Sequence, residues 1–461
     1  MFWENDLTGL DKNTFIINQD ETYTFERIFS LADAIYENIP SRSIVLIEAE
    51  RDLSTVISYI GALRKRIVPL LIDANSAAAN LKKFIKDFEI DFIFSIKEDL
   101  IENYKKIRNF KDRFIFQRLD QSDVIPHKQL GLLMPTSGST GETKCVRTSY
   151  INLNEVTYSI MRYMKMDSSR VSISSLQFYY TYGLSVLNLA IASRSKLVLT
   201  NYSWIERAFW SLVELHKVSD LSGVPFMFQT LKRIKLNEKI LKNLKCVNQA
   251  GGHLEPSFTE YFIDYFTPYH INYFTMYGAT EASPRMSYVP SNRSKEKLGT
   301  VGVPIDIGIL NTDAKDGRSE GEIIYSGANV CMGYALSRKD LAKGDENHGT
   351  LKTGDFGFID KDGFLTIVGR TKRFVKIFGI SVNLDALEVM LKSIAPESVI
   401  IGEDDNIVVL YIGEIAPSQI KEKIMSQVTF SNKALKIVSI PEIILNSSGK
   451  PDYPRMKREF L

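Results

Sequence analysis

The chain has 461 residues, 44% hydrophobic and 24% charged, with a formal net charge of +2. That length exceeds what one apolar core covers, so two or more domains are expected, and the composition excludes a disordered, collagen-like or membrane-array protein. The near-neutral balance excludes a field strong enough to make nucleic acid or an anionic membrane the main partner. Cys145, Cys246 and Cys331 are scattered with no CxxC spacing, which supports neither a disulfide framework nor a zinc site and fits a reducing cytoplasm. The opening "MFWENDLTGLDK" carries acids where a signal peptide needs a basic patch, and no apolar stretch of 18 residues follows, so no export signal or membrane span is expected.

Taken in chain order, short apolar runs alternate with helix-period segments: "SIVLIEA" (43–49), "STVISYIGALRK" (54–65), "IVPLLID" (67–73), "NLKKFIKDF" (80–88) and "DFIFSI" (91–96). The alternation predicts layered α/β structure on a largely parallel sheet. "GLLMPTSGSTGETK" then runs from a strand into a Gly-rich turn, and "NLNEVTYSIMRYM" (152–164) reads as the next helix. The pattern continues through "SKLVL" (195–199), "IERAFWSLVELHK" (205–217) and "HINYFTMYGATEAS" (270–283). From Gly299 to Gly369 the texture turns rich in Gly and Asp, with short strands such as "GEIIYSG" and "GFLTIVG", a β-rich subdomain. A charged connector, "GRTKRFVK" (369–376), leads to a last αβ segment with "LDALEVMLKSI" (384–394), "ESVIIG" and "NIVVLYIG". The expected division is a large N-terminal domain over 1–371 and a small α+β C-terminal lid over 372–461.

Four strings carry chemistry. In "PTSGSTGETK" (135–144) Lys144 follows Gly141 by three positions, so the spacing of the GxxxxGK[ST] phosphate loop fails. Its hydroxyls, glycines and lysine still suit an anion, with phosphate binding and a plain turn about equally favoured on the string alone. "YGATE" (277–281) combines a stacking ring with a carboxylate of the kind magnesium shares with phosphates. "TGD" (353–355) with "GR" (369–370) supplies a carboxylate and an arginine suited to sugar hydroxyls, and "NSSGKPDY" (446–453) sets Lys450 in a Gly-Ser turn. Each string alone also fits an ordinary turn or solvated strand.

Together, in this order, they resemble the adenylate-forming superfamily of acyl-CoA synthetases, aryl-CoA ligases, luciferase-like enzymes and peptide-synthetase adenylation domains. "QAGGHLEP" (249–256) is similar to the family's adenine-side segment and "FYYTYGLS" (178–185) to its acid-pocket segment. The resemblance implies ATP-dependent activation of a carboxylic acid to acyl-AMP with release of pyrophosphate, then transfer to the pantetheine thiol of coenzyme A or of a carrier-protein phosphopantetheine. It assigns Thr136, Ser137, Gly138, Ser139, Thr140, Gly141 and Lys144 to the ATP phosphates, Thr280 to the α-phosphate and Glu281 to Mg²⁺. Tyr277, Gly251 and Gly252 would take adenine, Asp355 and Arg370 the ribose, and Tyr180, Gly183 and Ala250 the acid. Lys450 would bridge the reacting carboxylate and the α-phosphate; Lys372 would be the hinge that swings the lid, and Gly379 would line the pantetheine channel. The alternative is a catalytically silent adenylate-binding or scaffold protein of the same fold, and a phosphotransferase is the enzyme-class rival.

Two departures bear on this. Where the family loop ends in proline, lysine and glycine, this chain has Thr143, Lys144 and Cys145; losing that glycine can restrict a backbone needing positive φ, but the hydroxyls and both inner glycines are present, so the loop is still expected to work. The pocket segment often carries histidine where Tyr179 and Tyr180 stand. It also lacks the aspartate that pairs with an α-ammonium group, which disfavours α-amino acids and favours a neutral aliphatic, hydroxy or aromatic acid. Arg370, Lys372, Arg373 and Lys376, or Arg455, Lys457 and Arg458, could meet coenzyme A phosphates, an acidic acyl carrier protein or solvent.

Overall fold

The apolar runs of the first third form strands buried on both faces: every position of Ile44–Ala49 is buried, and all but the last of Val68–Asp73. Such strands need helices on both sides. The computed structural model describes residues 1–4, 12–76, 78–98, 102–136, 144–314, 319–370, 373–377, 380–426, 434–445 and 451–461. Its described residues form two compact units, one holding most of the chain to Leu310 together with Tyr325–Leu351, the other Asn311–Ile324 and Lys352–Leu461.

The first unit contains two large sheets. In the eight-stranded sheet Phe92–Ser95, Ile44–Ala49, Val68–Asp73 and Leu130–Thr136 run parallel in that spatial order, with antiparallel strands at both edges. In the nine-stranded sheet Thr14–Asn18, Lys196–Leu199, Val171–Ile173, Asp220–Gly223, Cys246–Gln249 and Asn272–Tyr277 are parallel neighbours. One apolar cluster joins the two, with Phe15 and Ile16 from one sheet and Val45, Ile47 and Leu132 from the other. Between them pack Phe25 and Ile28 of helix Phe25–Ile35, Val56 and Ile60 of Leu53–Arg64, and Leu184 and Leu187 of Thr181–Ser193. The expected α/β layering is thus present, with the parallel strands central and antiparallel ones flanking.

Sequence and structure differ after the Gly-rich stretch. Instead of a turn leading straight to a helix, Lys144–Ser149 forms a strand that folds back on Leu130–Thr136, pairing Pro135 with Cys145 and Thr136 with Lys144. Helix Tyr150–Met164 begins only then, capped by Ser149, whose hydroxyl accepts from Asn152 N while Asn152 accepts from Ser149 N. Cys145 sits in this strand without positive φ and is fully buried, so the expected backbone restriction at that position does not arise.

In the second unit Thr350–Ile359 pairs antiparallel with Leu365–Arg370, placing Asp355 opposite Arg370. Further on, Ser398–Glu403, Asn406–Tyr411 and Leu435–Ser439 form a sheet covered by helices Leu384–Leu391 and Pro417–Met425. The helix expected to reach residue 394 stops at Leu391. The charged connector is also partly strand, since Phe374–Ile377 pairs with Ile380–Asn383. Arg373 is not a surface cation: it is 7% exposed and donates to Asp385, Glu388 and the Ile400 carbonyl, with its guanidinium over the Tyr453 ring. It therefore leaves the set of charges open to a coenzyme or carrier protein, and Arg455 is engaged by Glu459. Among the described residues no helix is long and apolar enough to cross a membrane.

Candidate active site

The chain turns back on itself just after strand Asn272–Tyr277. A side chain at Gly278 would place its Cβ 1.6 Å from the Pro284 carbonyl oxygen, so only glycine allows this return. Thr280 and Glu281 project from the short 3₁₀ turn Thr280–Ala282 at the end of a parallel strand, where α/β proteins place ligands. The turn is held from beneath by residues no motif marked. Fully buried Asn329 donates to the carbonyls of Ala282 at 2.5 Å and Arg285 at 2.7 Å, and Tyr325 donates to Asn329 Oδ1. Cys331 N donates to the Glu281 carbonyl at 2.8 Å.

The Glu281 carboxylate accepts a hydrogen bond of 2.7 Å from the Tyr334 hydroxyl. Lys144 Nζ lies over the Tyr334 ring, 3.3 Å from its centroid, a close cation–π contact. Tyr334 is delivered there because its strand pairs antiparallel with Lys144–Ser149, setting Tyr334 opposite Val146. Burial, reinforced by Glu281, pushes the Tyr334 hydroxyl well above its ordinary pKa, so it remains a donor to the carboxylate. Lys144, Tyr334 and Glu281 thus gather a cation, a ring and an anion from three separate segments. Among the described residues no group of three His, Cys, Asp or Glu stands together. A magnesium ion fits this donor set by taking the one carboxylate and leaving the rest of its oxygen shell to phosphates and water.

The other expected residues are spread over several elements. Thr136 ends its strand opposite Lys144, and Tyr277 ends Asn272–Tyr277, half-buried beside the turn. Gly251 and Gly252 follow strand Cys246–Gln249, exposed, with Gln249 Nε2 donating to the Gly252 carbonyl at 3.0 Å; Ala250 before them is 3% exposed. Tyr180 heads helix Thr181–Ser193, its ring centroid 4.7 Å from that of Tyr179. Gly183 in the first turn has a steric reason of its own, since a Cβ there would lie 2.2 Å from the Gln177 carbonyl oxygen. In the second unit Asp355 is 17% exposed with Arg370 Nε 3.3 Å away, and the Thr353 hydroxyl accepts from Asp355 N while donating to the Ile323 carbonyl. Ser137, Gly138, Ser139, Thr140, Gly141, Lys372, Gly379 and Lys450 lie outside the described residues.

The fold, two parallel-centred sheets followed by an α+β unit, is that of adenylate-forming enzymes. It superposes on o-succinylbenzoate CoA synthetase from Bacillus subtilis in complex with its acyl-adenylate, with TM-score 0.79 and 17% identity over 99% of this chain and 97% of that one. ATP-bound MatB from Rhodopseudomonas palustris gives TM-score 0.79 and 17% identity, with the same two coverages. The family profile described as AMP-binding enzyme matches residues 8–335, and the chain belongs to that family. A probable 4-coumarate–CoA ligase from Dictyostelium discoideum is 27% identical over 66% of this chain. The match spans only 56% of that relative. A 2-succinylbenzoate–CoA ligase from Staphylococcus epidermidis is 22% identical over 100% of this chain and 98% of its own length.

Proposed function

We propose that the protein joins a small carboxylic acid, other than an α-amino acid, to ATP, giving acyl-AMP and pyrophosphate, and then passes the acyl group to a pantetheine thiol. The observation that carries this reading is the Glu281–Tyr334–Lys144 cluster, a carboxylate for magnesium beside a lysine that ends the phosphate-loop segment. Magnesium, when bound, neutralises the polyphosphate; Lys144 faces the same charge, and Thr280 meets the α-phosphate on the turn that Asn329 holds rigid. Asp355 takes the ribose hydroxyls, and Lys450 joins the reacting carboxylate to the α-phosphate. The sequence relatives are coenzyme A ligases, which favours coenzyme A over a carrier protein as acceptor. The test is AMP formation from ATP across a range of carboxylic acids, with coenzyme A and a loaded carrier protein as alternative acceptors. Acid-dependent AMP is expected; ADP as product would select a phosphotransferase, and no acid-dependent turnover would select a silent adenylate binder.

Tyr334→Phe keeps a ring under Lys144 and removes the hydroxyl from Glu281. The lost hydrogen bond to a charged group is worth about 1.5–3 kcal/mol at most, and less where water replaces it. The expected result is a severalfold rise in the magnesium concentration needed for half-maximal AMP formation, with little change in melting temperature. An unchanged magnesium dependence would detach Tyr334 from the metal site.

A further inference from the structure

Arg285 leaves the Thr280–Ala282 turn on its way into strand Ser287–Tyr288, and it is only 2% exposed. Most other buried arginines have acids: Arg113 has Asp52 and Glu50, Arg147 has Glu346, Arg170 has Asp220, Arg338 has Asp91, and Arg373 has Asp385 and Glu388. Buried Arg51 has no such acid but donates to four main-chain carbonyls. Arg285 has neither arrangement; like buried Arg194, which lies over the rings of Phe25 and Phe29, it is stacked on an aromatic side chain, but it stands beside the acid-pocket segment. Among the described residues no carboxylate stands within ion-pair distance of it, and its buried Nε has no acceptor.

What surrounds it is tyrosine. The guanidinium carbon lies 5.0 Å from the centroid of Tyr182, and Tyr163 is a hydrogen-bonding neighbour of the guanidinium. Tyr182 is two residues past Tyr180 and next to Gly183 in the acid-pocket segment, and its hydroxyl donates to the carbonyl of Asn248 at 3.0 Å. Asn248 leads through Gln249 to Ala250, the third residue assigned to the acid, and its own Oδ1 is buried without a donor. The cation, with no carboxylate beside it among the described residues, is therefore packed on Tyr182 of the segment that carries Tyr180 and Gly183, and Tyr182 in turn holds the strand that leads to Ala250. A guanidinium taken out of water without an anion is unfavourable, and stacking on neutral rings offsets only part of that cost. In a substrate pocket the missing anion can arrive with the substrate.

We propose that the acid activated by this enzyme carries a second carboxylate, and that Arg285 pairs with it while the first carboxylate reacts with ATP. This rests on the acid-activating reading above and narrows it from carboxylic acids in general to dicarboxylic acids. It also replaces the neutral acid expected from the sequence: the pocket segment contains no acid for an ammonium group, but it packs against a cation. A site with a buried, otherwise unpaired polar group rejects analogues lacking the partner far more strongly than an apolar pocket rejects a shorter chain.

The experiment measures kcat/KM for AMP formation with a series of linear and aromatic dicarboxylic acids, each against its own half-amide, which keeps length and shape and removes one charge. The wild-type enzyme is expected to favour at least one diacid over its half-amide by about 100-fold or more. In Arg285→Met that ratio should collapse towards unity, whereas Arg285→Lys, which keeps the charge, should retain part of it. A wild-type enzyme that uses half-amides as well as diacids throughout overturns the proposal without any variant, so poor folding of Arg285→Met cannot shield it. A ratio unchanged in Arg285→Met also overturns it. If no acid of either kind supports AMP formation, the acid-activating reading itself falls and takes this one with it.

Discussion

Replacing Lys450 by alanine is expected to abolish acyl-AMP formation while sparing thioester formation from acyl-AMP supplied ready-made. In the first half-reaction an anionic carboxylate attacks an anionic α-phosphate, so a cation between them stabilises charge that develops only in the transition state. Removing one such preorganised group costs about 10²–10³-fold in rate, and a full positive charge should lie at or beyond the upper end. The second half-reaction moves an acyl group from a phosphate to a thiol and does not use that contact, because the lid is proposed to turn about Lys372 and withdraw the lysine. Pyrophosphate exchange and thioester formation from synthetic acyl-AMP should therefore separate in one variant. Exchange persisting at near wild-type rate would remove Lys450 from the chemistry, and equal loss of both half-reactions would point to a damaged lid instead.

The αβ pattern of the last segment could be read from sequence because its signal is local, an apolar helix period followed by short β-branched runs that the strands Ser398–Glu403 and Asn406–Tyr411 bear out. The same holds for the layering, since Ile44–Ala49 and Val68–Asp73 show in composition the two-sided burial they have in space. "YGATE" was legible as a turn with a carboxylate, but what orients that carboxylate was not. Tyr334 lies 53 residues beyond Glu281 in "VCMGYALS", a run that reads as core, and reaches the site only through pairing with Lys144–Ser149. That strand was hidden as well, because its alternation includes Arg147, which reads as a solvated charge next to Lys144. Asn329 is a comparable case, an isolated amide in "GANVCMG" whose role depends on the carbonyls of Ala282 and Arg285 folding back above it. Hydrophobic periodicity reports burial along one segment; it carries no information on which distant backbone a buried polar group will satisfy.

Arg147 shows how much stability rests on such a group. Its side chain is 0% exposed; Nε donates to the Tyr334 carbonyl at 3.1 Å and one terminal nitrogen donates to Lys343 at 2.6 Å and Gly344 at 3.0 Å. The other donates to the Met332 carbonyl at 2.8 Å and pairs with Glu346. One guanidinium thus satisfies four carbonyls and a carboxylate from the stretch 332–346 that carries Tyr334, and burial holds its pKa below the usual arginine value. Methionine would fill much of the space and supply no donor. Arg147→Met is expected to destabilise the first unit by about 2–4 kcal/mol, chiefly because four carbonyls lose their donor, while half-exposed Glu346 keeps water and Lys343. Lysine should rescue little of this, since a point ammonium has three donors and cannot reproduce the planar fork. The measurement is the urea unfolding midpoint followed by the fluorescence of Trp204 and Trp210, which both lie in that unit's second apolar cluster. A shift equivalent to less than about 1 kcal/mol would mean that water replaces the guanidinium at those carbonyls. If the loss is as large as expected, the surviving folded fraction should also need more magnesium, because the strand that aims Tyr334 at Glu281 would have lost its anchor.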